Sequence, residues 1–287
     1  MLTTKNKIAL AHWVQVGVMV IRRLFRKGSI ARVRRSGVEW ELDLREGIDF
    51  SIWLLGSFEP DTVRCYKQIV KSGEVVLDIG ANIGAHTLIL AQAVGENGKV
   101  YAFEPTDYAF AKLSRNRGLN PELATRIYTM QYMLVDHDAV DTPTPKLYSS
   151  WPLESGAGLH ELHQGRLMTT DDAKAITLDS IVFSMLNLER VDLIKLDIDG
   201  FECVMLRGAG AVLSKWKPVI VMELAPYALE EQGGSIRKLL DILKSYDYEL
   251  FDLSSGFPIA MDPDALQERI PSGASLNVIA RVSSGMA

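Results

Sequence analysis

The run Lys195-Leu196-Asp197-Ile198-Asp199-Gly200-Phe201-Glu202 gathers one cation and three carboxylates at the end of an apolar strand-like segment. Strand alternation puts Lys195, Asp197 and Asp199 on one side if the strand continues that far. A carboxylate there can orient a hydroxyl and take its proton, which makes Asp197 the leading catalytic candidate. Glu202 reads as a cap or buttress for the helix that begins with it. Glu223 closes a second apolar run, Val219-Ile220-Val221-Met222, and is the next candidate, although a buried structural Glu fits it almost as well. His163, in a loop shared with His160, is the third, because a loop imidazole can serve as a base near neutral pH. Asp197, Asp199 and Glu223 offer the hard oxygen donors a divalent cation prefers, but carboxylates at strand ends are common without metal, and none is expected. Tyr148 and Trp151 either line an acceptor pocket or staple their loop to the domain.

A second constellation lies upstream in Asp78-Ile79-Gly80-Ala81-Asn82-Ile83-Gly84. Gly80 suits a tight exit from a strand and Gly84 a close approach of helix to sheet, while the helix N-terminus offers free amides to a ligand. Asn82 stands where a dinucleotide fingerprint has the glycine that admits a pyrophosphate, so a methionine-type ligand fits better. Roughly 20 residues on, Glu104 ends the next strand, the place of an acid that accepts hydrogen bonds from ribose hydroxyls. The bland alternative is a cap on the turn at Pro105. Asp78, Gly80, Asn82, Gly84 and Glu104 are therefore the expected cofactor residues, joined by Asp136 after the third strand. His86 reads as a helix-start residue.

Regular alternation must position these groups. Val75 to Asp78, Val100 to Phe103, Ile127 to Val135, Asp192 to Leu196 and Val219 to Met222 read as strands. Ala85 to Val94, Tyr108 to Arg117, Leu178 to Leu188, Glu202 to Leu213 and Ile236 to Ser245 read as helices. Such alternation implies an α/β domain with a mostly parallel sheet covered on both faces. Glu249 to Phe251 and Leu276 to Val282, with no evident helix between them, suggest an antiparallel pair at the edge. Residues 1–72 form a small α+β extension, with a hairpin turning at Ser36-Gly37 and a helix opening at Pro60. Residues 73–287 form the catalytic domain, interrupted near 136–174 by a polar segment expected to cover the acceptor.

Taken together, the glycine loop, Phe103-Glu104-Pro105, the Lys195–Glu202 run and the strand ending in Glu223 resemble the FkbM family of methyltransferases. Gly56-Ser57-Phe58-Glu59-Pro60 and Thr177-Leu178-Asp179 also resemble it, so the likeness extends from about Leu42 to Val282. It implies a Rossmann-like, seven-stranded methyltransferase fold, S-adenosylmethionine as donor, and O-methylation of a small natural product or sugar. Asp199 departs from the family's usual Glu, and Phe201 from its usual small residue or His, so the acceptor end is where this chain differs.

The 287 residues carry a net charge of −5 and 47% hydrophobic residues, which suits a globular protein without the global basic field of a nucleic-acid binder. A small-molecule acceptor is expected, and no nucleic acid. Two separated cysteines, Cys65 and Cys203, fit a reducing cytoplasm. From Ile8 to Ile21 the chain is apolar, with no small-residue cleavage site after it and fewer than the about 20 residues needed to span a bilayer. Read as a helix, Leu10, Trp13, Val14, Gly17, Ile21 and Leu24 share one stripe. Docking of that helix on the domain or a partner is favoured over an interfacial membrane helix with Arg22, Arg23, Arg26 and Lys27 near headgroups. Two other functional classes stay open: a nicotinamide oxidoreductase, separable by preference for NAD over S-adenosylhomocysteine, and a noncatalytic cofactor-binding scaffold, which would bind but not transfer.

Overall fold

The computed structural model describes residues 4–153, 158–162 and 164–282. Helix α1 (Thr4–Leu24) leads into the hairpin β1 (Ile30–Arg35) and β2 (Val38–Asp43), then α2 (Gly47–Leu55) and α3 (Pro60–Ile69). Alternation follows through β3 (Val75–Ile79), α4 (Thr87–Ala93), β4 (Lys99–Phe103), α5 (Asp107–Gly118), the short α6 (Pro121–Ala124) and β5 (Ile127–Met130). The expected third strand is broken at Gln131, whose amide donates to Asp107. Its second half, β6 (Tyr132–Leu134), leaves the main sheet. Then come β7 (Leu147–Ser150), β8 (Arg166–Met168) and β9 (Lys174–Ile176). Strand β6 pairs with β9 and β7 with β8, so the polar segment carries a hairpin on a two-stranded base.

A π-helical stretch, Ser180–Met185, precedes β10 (Leu193–Leu196), α7 (Glu202–Arg207), α8 (Gly210–Trp216), β11 (Val219–Leu224), α9 (Pro226–Glu231) and α10 (Ile236–Ser245). The single helix expected after Glu202 is two, separated at Gly208, where only glycine fits because a Cβ would lie 2.0 Å from the Val135 carbonyl oxygen. Last come β12 (Tyr248–Asp252), β13 (Pro258–Ile259), α11 (Pro263–Arg269) and β14 (Leu276–Val282). A helix therefore does separate the two late strands; it starts at Pro263, with the Asp262 side chain accepting from the Ala265 amide.

The main sheet runs β13-β12-β14-β11-β10-β3-β4-β5. Pairing is parallel from β11 through β5, while β14 is antiparallel to both β11 and β12, and the two-residue β13 is antiparallel to β12 at the edge. This is the Rossmann-like α/β methyltransferase fold, with β13 added outside seven strands. Strands β3 and β10 read as continuous apolar text because both faces are covered. On one face Leu77, Ile79, Ile194 and Leu196 pack with Leu206 and Leu239. On the other, Val76 and Val100 pack with Leu88 of α4 and with Trp40, Phe50 and Tyr66 from the first 72 residues. The extension and the sheet thus share one core. The sheet changes direction of winding between β3 and β10, and a crevice opens at the carboxyl ends of the strands there, as such topology requires.

Candidate active site

The crevice is a cavity of about 860 Å³, within the range of small-molecule sites. Its floor is the glycine loop. Gly80 turns with φ +80°, and a Cβ there would sit 1.8 Å from the Asp197 carbonyl oxygen. Glycine is thus needed for the approach of the segment after β10, rather than for room around a ligand. The Gly80 and Ala81 amides both donate to the Phe103 carbonyl at 3.0 and 2.9 Å, and Lys195 Nζ donates to the Gly80 carbonyl at 2.7 Å. Gly80→Ala is accordingly expected to destabilise the protein by on the order of 3 kcal/mol, from backbone strain and overpacking together. Urea denaturation checks this; wild-type stability in that variant would mean the loop is not pinned.

Asn82 adopts a left-handed conformation with φ +49°. Its amide donates to Glu104 Oε2 at 2.9 Å, its Oδ1 accepts from the Ile83 amide at 2.8 Å, and its Nδ2 reaches the Ser149 carbonyl at 3.3 Å. Glu104 Oε1 accepts from the Thr106 amide at 2.9 Å and the Thr106 hydroxyl at 2.5 Å. Glu104 is therefore the brace of two turns as well as part of the cavity wall. Burial pushes its carboxyl up, opposed by those hydrogen bonds.

Opposite lies a second group of charges. Lys195 and Asp78 are partners across β10 and β3, on the face covered by α4. Lys195 Nζ is 3.6 Å from Asp78 Oδ1 and 3.5 Å from Asp197 Oδ2. Thr87 donates to the other oxygen of Asp78 at 2.5 Å. Burial raises the Asp78 carboxyl, against the Lys195 cation, which lowers it. Asp197 is half-buried and lines the cavity with Asp199 and Glu223. Burial, then the charges of Asp197, Glu223 and Glu202, pushes Asp199 well above the ordinary carboxylate range, favouring its protonated form. Glu223 accepts a short hydrogen bond from the Ser275 hydroxyl. Glu202 accepts from the Ile198 and Gly200 amides at 3.2 and 3.3 Å, and burial raises it to about 7; it buttresses the turn.

Of the residues named from sequence, Gly80, Asn82, Glu104, Asp197 and Glu223 come together around the cavity, and Asp78 and Gly84 do not line it. Asp78 acts from behind through Lys195 and Thr87, and Gly84 meets Leu113 of α5. Asp136, expected among the cofactor residues, also lies outside the cavity wall, held by Arg207 at 3.1 Å and His137 at 2.8 Å on the partly exposed side of the break between α7 and α8. His163 lies outside the described residues. Tyr148 and Trp151 both line the cavity. The Trp151 carbonyl also accepts from the Gly47 amide at 2.8 Å, so pocket wall and staple are one feature.

Two wall residues were not expected in the site, Glu59 standing only within the family-like run before Pro60 and His86 only as a helix start. Glu59, at the start of α3 with φ +46°, reaches into the cavity near His86, with Oε2 3.6 Å from Nε2. His86 is buried between Phe58 and Tyr66, and neither ring nitrogen has a hydrogen-bond partner. Burial, then the Lys195 charge, holds its pKa far down, so the imidazole is neutral. The sequence reading placed His86 at a helix start, where it does stand as the N-cap of α4, but with no side-chain cap bond. Among the described residues no cluster of three or more His, Cys, Asp or Glu could hold a metal ion.

A parallel sheet with a reversal between β3 and β10, closed by β14 lying antiparallel between β11 and β12, together with a glycine loop and an acid at the next strand end, defines the class as a Rossmann-like methyltransferase fold. The chain belongs to the Methyltransferase FkbM domain family, which matches residues 78–250. It is 26% identical over 163 residues to the hexuronic acid methyltransferase AglP of Haloferax volcanii, covering 57% of this chain and 61% of that protein. It is 25% identical over 209 residues to the methyltransferase sdnD of Sordaria araneosa, covering 62% and 80% respectively. Among solved structures it is similar to a methyltransferase FkbM from Methylobacillus flagellatus KT, at 16% identity and TM-score 0.45, covering 75% of this chain and 47% of that one.

Proposed function

We propose that the protein transfers the methyl group of S-adenosylmethionine to a hydroxyl of a small molecule, a sugar or natural product. The observation that carries this is one cavity holding the Gly80–Asn82 loop and Glu104 on one side and Asp197 on the other. The residues fit the cofactor: the loop turns a strand end into a cradle, and Glu104 presents a carboxylate of the kind that accepts from ribose hydroxyls. The name of the Haloferax volcanii relative, a hexuronic acid methyltransferase, supports a sugar among the candidate acceptors.

When bound, S-adenosylmethionine would supply an electrophilic sulfonium methyl for an acceptor oxygen, with the neutral thioether as leaving group. Asp197 orients the acceptor hydroxyl and takes its proton as the oxygen–carbon bond forms. Lys195 holds Asp197 and the Gly80 carbonyl together, so cofactor loop and base keep one geometry. Glu223 lies on the same wall and is the second candidate for the proton. The hairpin of β7 and β8 brings Tyr148 and Trp151 over the cavity, where they shape the acceptor end and exclude water.

Calorimetry tests the cofactor half. S-adenosylhomocysteine is expected to bind and NAD not to. Glu104→Gln should weaken that binding roughly 10-fold or more through loss of charge-assisted hydrogen bonds. Binding of NAD in its place would overturn the reading. A screen of hydroxylated metabolites with labelled methyl donor, followed by mapping of the labelled atom, tests the acceptor.

A further inference from the structure

Helix α1 docks on the body by the face that its sequence makes less apolar. Gln15 is 2% exposed, and Ala11, Val18 and Met19 pack beside it against the core that α2 and the hairpin share. His12 Nδ1 and Gln15 Nε2 are buried there without a hydrogen-bond partner. The apolar stripe points away. Leu10 is 64% exposed, Trp13 77% and Leu24 77%, with Val14, Val20 and Ile21 also exposed on the helix and Phe25 just after it. An apolar area of this extent on a soluble surface marks a site of contact. It runs into the cavity mouth, since Leu10 and Val14 line the cavity together with Leu54 and Leu55 of α2, which are themselves exposed.

Charge decides what covers it. The whole chain has 31 Lys and Arg against 36 Asp and Glu, yet its first 38 residues contain nine of those cations and no acid. Arg22 is engaged by the Gly28 and Ile30 carbonyls. Arg23, Arg26 and Lys27 are exposed at the end of the stripe and make no ion pair among the described residues. A second copy of the chain, meeting this face symmetrically, would bring like charges together without neutralising them. An anionic lipid surface neutralises them and takes up the stripe at once. No described helix is long and apolar enough to cross a membrane, and a helix with one apolar face and cations at its end lies in the plane of the interface.

We infer that α1, with the exposed end of α2, is a docking surface for an anionic lipid bilayer, and that it sets the cavity mouth beside the lipid. Trp13 and Leu24 enter the acyl boundary while Arg23, Arg26 and Lys27 meet the headgroups. This holds whatever cofactor the cavity takes, so it stands or falls apart from the proposed activity.

The test is co-sedimentation of the full chain with vesicles of phosphatidylcholine alone and of phosphatidylcholine mixed with phosphatidylglycerol. Binding is expected on the anionic vesicles, weaker on the neutral ones, and reduced by salt. Trp13→Asp/Leu24→Asp and Arg23→Glu/Arg26→Glu/Lys27→Glu change exposed side chains only, and each should lower vesicle affinity by at least about 10-fold. Both should keep the wild-type circular dichroism spectrum and wild-type calorimetric binding of S-adenosylhomocysteine. In the unmodified protein, brominated lipids should quench tryptophan emission, a readout that needs no variant. Failure of the wild type to sediment with anionic vesicles would overturn the inference, as would equal binding by both variants. A dimer in light scattering that Trp13→Asp dissociates, with no vesicle binding, would assign the face to a second copy.

Discussion

Asp197→Asn is expected to lower methyl transfer by about 10²–10⁴-fold, the range for loss of a positioned base, while S-adenosylhomocysteine binding stays near wild type. Asparagine keeps the shape of the side chain and removes only its charge and basicity. The loop beneath should hold, because the Gly80 contact is made by the Asp197 main-chain carbonyl, and Lys195 keeps its bond to Gly80 and its pairing with Asp78. A small fall in melting temperature is expected from the lost contact with Lys195. Single-turnover assays with labelled donor, read beside calorimetric affinity, separate the two effects. Full turnover in this variant would remove Asp197 from the chemistry and leave Glu223, on the same wall, as the carboxylate to test.

Those residues were legible in the sequence because their signals are local. A glycine loop between a buried strand and a helix, or a carboxylate at the end of an apolar run, needs only a few neighbouring residues to be recognised. The same holds for β3, β4, β10 and β11, legible as short apolar runs, and for α10, legible from its helical periodicity. What escaped was set by contacts distant in sequence. The break between α7 and α8 falls at Gly208, where the Val135 carbonyl occupies the space a Cβ would need. Asp136 follows the third strand, but that strand bends out of the sheet at Gln131 and carries it to Arg207. His86 and Glu59 come to the cavity because α3 packs beside α4, which neither residue's surroundings in sequence announce. For α1 the apolar stripe was legible and its direction was not: amphipathicity says which face avoids water, and only the packing of Gln15 shows which face meets the body.

Lys195→Met is expected to cost about 3–5 kcal/mol of stability at neutral pH, the usual penalty for removing one member of a buried ion pair. Methionine fills nearly the same space but brings neither charge nor donor. Asp78 would then lie fully buried, with Thr87 on one oxygen and nothing on the other, and the Gly80 carbonyl would lose its 2.7 Å bond. The pH dependence identifies the cause. Burial already raises the Asp78 carboxyl in the folded protein, so the unfolded chain gives up that proton at lower pH than the folded one. Destabilisation from this group therefore grows as pH rises from the unfolded pKa through the folded pKa. Without Lys195 the folded pKa moves higher still, so the gap between variant and wild type should be widest at neutral pH and narrow as the solution is acidified. Lys195 itself, raised by Asp197, Asp78 and Glu59 against its burial, contributes stability that is lost only in strongly alkaline solution, outside that window. Urea titrations at neutral and mildly acidic pH measure the gap. A further change, Asp78→Asn in the Lys195→Met background, should recover part of the loss, because a neutral amide no longer needs the cation. A loss that is the same at both pH values and unchanged by Asp78→Asn would mean that Lys195 acts through packing, and that Asp197 and the cofactor loop are held together by something else.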